Sequence, residues 1–279
     1  MAEDRGLEIQ SFVKGMYRTR TIPTMLGKIL ALVKDENSSP QDLIQLISHD
    51  QALAERTIRI ANSVMFGHSG TVRDLRHAVM FLGYERIRSI ALAMGVMDAF
   101  PARNSLDIQN LWIHGYEVAY LSAVISDTIS MVAPAESFLC GLIHDIGRLI
   151  FFEKDREKYY EIGTGDDFLD REMELFGCTH ADAGGWYAVN AGIPDDIVSA
   201  IRSHHHPSEA GENHLGVSIL SLAEGLSRRF CPRFIDDGVW IPAHGAILLE
   251  LDIGDDAMQS ICHKLGGLRY DIKAFFGGE

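Results

Sequence analysis

Apolar residues return every third and fourth position in successive stretches: Met25, Ile29, Leu32 and Val33; Leu43, Leu46 and Ile47; Leu53, Ile58 and Ile60; Val118, Leu121, Val124 and Ile125. A half-buried strand would alternate at every second residue, so this period dictates amphipathic helices and predicts an all-α fold. Local stop and start signals agree. Ser39-Pro40-Gln41-Asp42 offers a capping hydroxyl followed by proline in the first turn, and Ile193-Pro194-Asp195-Asp196 places carboxylates at a positive helix end. Gly83 interrupts the apolar pattern between Leu75 and Met97 and predicts two helices meeting at a tight corner, while Phe66 to Gly70 reads as a turn.

No fixed-period repeat or low-complexity linker divides the chain. The change is chemical: before Phe100-Pro101 the pattern is almost purely structural, and after it histidines become dense. We therefore place an N-terminal helical subdomain at 1–104, a histidine-rich helical subdomain at 105–231 and a helical extension at 232–279. In the extension, Gly238 to Pro242 reads as a connecting turn. Asp255 to Phe276 reads as an amphipathic helix with Ile261, Leu265 and Leu268 on one face, which packs back on the bundle or mediates homodimer formation.

Charge narrows the partners. The 25 basic side chains against 39 acidic ones leave a net charge of −14, which disfavours nonspecific contact with nucleic acid. Leu82 to Arg88 has the look of a helix-turn-helix with Arg86 and Arg88 exposed, but it lacks a surrounding basic cluster. Apolar runs such as Ile90 to Met97 are far shorter than the roughly 18–20 residues that cross a bilayer. Cys140, Cys178, Cys231 and Cys262 are widely separated and form no Cys-x-x-Cys clip, so they read as reduced thiols and the chain as cytoplasmic.

Five of the twelve histidines, His114, His144, His180, His204 and His205, occur in contexts that scattered surface residues do not explain. His144-Asp145 lies within Leu142-Ile143-His144-Asp145-Ile146-Gly147-Arg148, whose apolar flanks predict a buried helix. A buried carboxylate costs several kcal/mol unless a cation or strong donors compensate it. A divalent ion does so directly, and neutral imidazoles with carboxylates suit Fe, Mn, Ni or Zn. The solitary His49, His68, His77, His214, His244 and His263 read as surface or capping residues, and His206 as a rim residue. Asp182 either orients an imidazole or is solvated. The methionines Met16, Met25, Met65, Met80, Met94 and Met97 read as core or as an adaptable contact platform.

Leu-Ile-His-Asp-Ile-Gly-Arg resembles the signature of HD-domain metal-dependent phosphohydrolases, and the order His114, His144-Asp145, His180, His204-His205 is similar to their ligand order. Ile22-Pro23, His49 to Ala54, Arg59-Ile60-Ala61-Asn62-Ser63 and Ala78 to Gly83 resemble the HDOD domain, an HD-related output module of bacterial signalling proteins. The resemblance, which spans about residues 15–230, implies a multi-helix HD/HDOD bundle. It also implies one ion held by His114, His144 and Asp145, with Asp145 bridging to a second held by His180, His204 and His205. Glu224, in Leu222-Ala223-Glu224-Gly225, stands where the family has its closing aspartate. Arg148 stands where many of these hydrolases hold phosphate with lysine, and it either grips phosphate or pairs with Glu153 or Asp155. The Gly-Tyr-Pro element of the cyclic di-GMP hydrolases is absent, the chain reading His204-His205-His206-Pro207 instead.

Two readings follow. In the first, the chain is a signalling module that retains one or two divalent transition metals and meets a partner protein or a small phosphorylated ligand. In the second, Asp145 and Arg148 serve a metal-dependent phosphohydrolase acting on a nucleotide or related phosphoester.

Overall fold

The structure, a computed structural model, describes residues 2–19, 24–35, 37–62, 71–100, 106–163, 165, 167–230, 242–264, 268 and 272. Among them no strand occurs. The turn expected at Phe66 to Gly70, the expected boundary near 105, Cys231, Gly238 to Ile241, His68, Met65 and Leu265 lie outside the described residues.

The N-terminal part runs through α1 (Ala2–Thr19), α2 (Thr24–Lys34), α3 (Pro40–Ser48), α4 (Gln51–Ala61), α5 (Leu75–Leu82) and α6 (Tyr84–Asp98). Ser39 caps α3 in a reciprocal box with Asp42, with Pro40 in the first turn. Gly83, at φ +86°, makes the corner between α5 and α6, a left-handed conformation that suits glycine. Of the expected apolar face, Ile29, Leu43, Ile47, Leu53 and Ile60 are fully buried, while Met25, Leu32, Val33, Leu46 and Ile58 are half-buried against the same core, which Leu26 also joins. Met16, Met94 and Met97 belong to this core, whereas Met80 is 73% exposed. The helix-turn-helix resemblance ends at these side chains. Ile87 is buried, and Arg88 lies over the Tyr84 ring and pairs with Glu85 at 2.5 Å.

The second part begins with the long α7 (Leu106–Ile129), which lies against α8 (Pro134–Ile143). A Cβ at Gly141 would come 2.5 Å from Ala119 Cα, so only glycine lets these two helices approach so closely. Then follow α9 (Ile146–Lys154), α10 (Arg156–Ile162), α11 (Phe168–Phe176), α12 (His180–Ala191) and α13 (Asp195–Ser203), with α14 (His214–Phe230) closing on α7. A Cβ at Gly147 would overlap the His180 carbonyl, so α9 packs backbone to backbone against the start of α12. The helices of the two parts meet directly, α1 on α12 and α6 on α8.

α15 (Pro242–Glu250) and α16 (Asp255–Lys264) complete the described chain. α16 packs back on α7: Tyr120 donates its hydroxyl to the Lys264 carbonyl at 2.8 Å, and Lys264 pairs with Asp127 at 2.9 Å. His244, expected at the surface, is buried, because Gly225 has no side chain and the imidazole occupies the space beside it.

Candidate metal centre

Three helices and two short turns bring their side chains into a single buried knot of imidazoles and carboxylates. His114 comes from the middle of α7, and Glu224 from α14. His180 is the first residue of α12, while His204 and His205 follow the last turn of α13. His144 and Asp145 were expected inside one continuous helix, but they occupy the break between α8 and α9, His144 as the C-cap and Asp145 as the N-cap. The break lets adjacent residues both point into the knot, which an unbroken helix, turning about 100° per residue, would prevent.

Hydrogen bonds at the far side of three of the rings fix their orientation. His144 Nδ1 donates to the Gly141 carbonyl and His204 Nδ1 to the Ile201 carbonyl, each at 2.7 Å, which turns both Nε2 atoms inward as acceptors. His180 Nδ1 donates to Glu172, at 2.8 Å to Oε2 and 3.0 Å to Oε1, and Oε2 also accepts the His180 backbone N–H at 2.8 Å. Glu172 is fully buried and was not singled out in the sequence, although it falls on the apolar stripe of α11 between Phe168 and Phe176. Asp182 performs no such task, since its carboxylate closes a capping box with Thr179 at the exposed start of α12.

The inward atoms crowd together. His180 Nε2 lies 3.1 Å from His204 Nε2, 3.0 Å from His205 Nε2 and 3.1 Å from Asp145 Oδ1. One N–H cannot serve three acceptors. Two nitrogens bound to a common ion at about 2.1 Å lie roughly 3.0–3.4 Å apart for angles from a right angle to the tetrahedral one, so the spacing is that of metal ligands. Asp145 Oδ1 and Oδ2 and His144 Nε2 are buried without a hydrogen bond of acceptable geometry, a state that costs several kcal/mol unless a cation fills the space between them. Three overlapping groups have ligand atoms within 4.8 Å of one another: His180, His204 and His205; His114, His144 and Asp145; and His144, His204 and Glu224. All seven residues expected to ligate are thereby brought together, and the donor set fits a divalent transition metal.

The electrostatics are uneven. Burial and the nearby Arg148 oppose charge on His180, but the Glu172 and Asp145 carboxylates together outweigh them and push this imidazole up to about 9. Burial, joined by His144 and His180, brings His204 down to about 3 against the pull of Glu224, and holds His205 well below its ordinary value. Burial would raise Asp145, yet His144, Arg148 and His180 hold it well below the usual carboxylate range. At neutral pH the knot thus offers an anionic Asp145 and neutral His204 and His205, the forms that bind metal, whereas His180 carries a proton that an incoming ion must displace.

Arg148 is buried, with Nε 3.4 Å from Asp145 Oδ2 and its guanidinium 5.1 Å above the Phe168 ring. Asp155, one of the partners considered for it, instead caps α10. His206 is exposed on the rim.

The HDOD domain profile matches residues 20–207. The chain belongs to the HDOD domain family. This HDOD chain has the fold of a solved HDOD domain protein of unknown function from Geobacter sulfurreducens, with a TM-score of 0.74 and 22% identity, covering 100% of this chain and 99% of that one. A Shewanella amazonensis structure provisionally named a phosphohydrolase superposes equally well, with a TM-score of 0.75 at 23% identity over 95% of this chain and 97% of that one. An uncharacterized protein of Treponema pallidum is 26% identical over 230 residues, 77% of this HDOD chain and 44% of that protein. Ribonuclease Y of Aquifex aeolicus is 29% identical over 119 residues, 43% of this chain and 17% of the enzyme. The HDOD chain therefore spans less than half the length of these two curated relatives. Among the described residues no helix is long and apolar enough to cross a membrane.

Proposed function

We propose that this chain is a signalling module that retains an HD-type site for one or two divalent transition metals and uses it to receive a small phosphorylated ligand. The observation that carries the reading is the convergence of inward Nε2 atoms 3.0–3.1 Å apart beside a buried, unsatisfied Asp145. His114, His144 and Asp145 would hold one ion. His180, His204 and His205 would hold the other, with Glu224 reaching the side shared by His144 and His204. Cys140, Cys178 and Cys262 are free thiols and add no ligand, in keeping with a reducing cytoplasm.

A second reading, hydrolysis of the bound phosphoester, is favoured by Arg148, a buried cation set directly against Asp145. A bound divalent ion supplies a water of lowered pKa and neutralises charge on phosphate oxygens. In this reading Arg148 would orient the phosphate through its planar fork, and Asp145, anionic between His180 and Arg148, would hold the ion that supplies that water.

Metal analysis of protein purified without a chelating resin, beside an Asp145→Asn variant, tests the proposal. Stoichiometric Fe, Mn, Ni or Zn that is lost in the variant is the expected result. A folded wild type that takes up no such metal on addition refutes it. Turnover of a phosphoester by the loaded wild type, abolished in Arg148→Met, separates the second reading from the first.

A further inference from the structure

The geometry points to Phe168 as the residue that decides which phosphorylated ligands reach the centre: it admits inorganic phosphate and phosphomonoesters and turns phosphodiesters away. This rests on the phosphate-binding reading above and adds the substrate class to it. The side chains of His144, His180 and His204 are wholly shielded from solvent, and Asp145, His114 and Glu224 nearly so, whereas His205 is 14% exposed. Of the seven, His205 is the most open to solvent, and a ligand would meet the cluster there first.

Phe168 stands beside that opening. Its ring is edge-on to His205 with centroids 5.4 Å apart, stacks on His180 at 6.0 Å, and lies 5.1 Å under the Arg148 guanidinium. A single aromatic wall thus runs from the accessible histidine to the buried arginine. A phosphate that contacts both must lie along its edge. The wall is also rigid. Phe168 is buried as the first residue of α11. One turn on, Glu172 is bonded to both the backbone and ring of His180, and a further turn on, Phe176 stacks on Phe151 at 4.2 Å with ring planes 6° apart.

A compact tetrahedral anion fits beside such a wall, and a monoester can direct its one substituent back past His205 to solvent. A diester carries two substituents, so when one leaves through the opening the other is driven against the Phe168 ring. Discrimination by a rigid apolar wall against one extra group is worth roughly tenfold to a few hundredfold.

The test is calorimetric titration of metal-loaded protein with inorganic phosphate, phenyl phosphate and diphenyl phosphate, with metal content and thermal midpoint measured on every sample. Wild type is expected to bind the first two at least roughly tenfold more tightly than the diester, and Phe168→Ala to narrow that ratio by roughly tenfold. Phe168→Leu keeps apolar packing while removing the ring edge. It is expected to narrow the ratio in part, and it supplies the answer if the alanine variant loses metal or fails to fold. Equal binding of monoester and diester by wild type, or an unchanged ratio in a folded, metal-loaded Phe168 variant, overturns the assignment alone. Absence of all phosphate binding by loaded wild type, or phosphate binding that survives Arg148→Met undiminished, overturns the phosphate reading itself.

Discussion

Replacing Glu172 by glutamine isolates the charge behind His180 while keeping size and an acceptor oxygen. In the native chain the carboxylate receives two bonds from His180, at 2.8 Å from the backbone and 2.8 Å from Nδ1, and it is the strongest influence raising that imidazole to about 9. Outer partners of this kind typically contribute about 10- to 100-fold in metal affinity, or roughly 1–3 kcal/mol, because they fix the ring and raise its basicity. Glu172→Gln is expected to weaken metal binding within that range. The protons should move as well. At pH 7.5 the metal-free wild type carries a proton on His180 that must leave when metal binds, whereas in the variant His180 sits lower and has less to release. Calorimetry in buffers of different ionisation enthalpy counts those protons. The linkage has a definite sign: a folded value near 9 above the ordinary 6.5 gives stability that is fully present below pH 6.5 and lost as pH rises through 9. The stability gap between metal-free wild type and variant should therefore be widest below pH 6.5 and close above 9. Unchanged affinity together with an unchanged proton count would refute the role given to Glu172.

Gly147→Ala forces a methyl into the His180 carbonyl and should destabilise the chain by about 1–3 kcal/mol or more, read as a lower thermal midpoint together with weaker metal binding. Glu224→Ala removes a member of only one of the three ligand groups, so metal content by elemental analysis should fall but not vanish. For the metal-free protein, His204 held near 3 remains neutral when folded, while the unfolded chain takes up a proton near 6.5; stability from this group is thus lost as pH falls from 6.5 toward 3. His204→Gln should flatten that acid limb of a thermal-melt profile, and a limb of unchanged steepness would count against the burial argument.

Helical period, the Ser39 cap, the Gly83 corner and the seven converging side chains were all legible in the sequence, because each depends on local spacing or on residue types that burial cannot tolerate alone. Glu172 was not, since it sits among Arg171 and Glu174 and looks solvated until the phase of α11 is fixed by Phe168 and Phe176. That i, i+4, i+8 row was the available signal. His244 was misjudged for a different reason: its burial depends on the absent side chain of Gly225, a tertiary fact that no window around His244 contains. The break at His144-Asp145 was likewise hidden, because apolar residues continue on both sides of it and the interruption serves the knot rather than the local backbone.

The knot also orders events in time. Its members stretch from His114 to Glu224, so no short segment of the nascent chain can assemble it, and the long loops between them must close before any ion finds more than a pair of neighbouring ligands. On the metal-binding reading proposed above, an ion therefore arrives as a late clasp on helices that hydrophobic packing has already gathered. Its binding deepens the finished state without guiding the search for it, and the energy it adds slows the chain's opening far more than it speeds its closing.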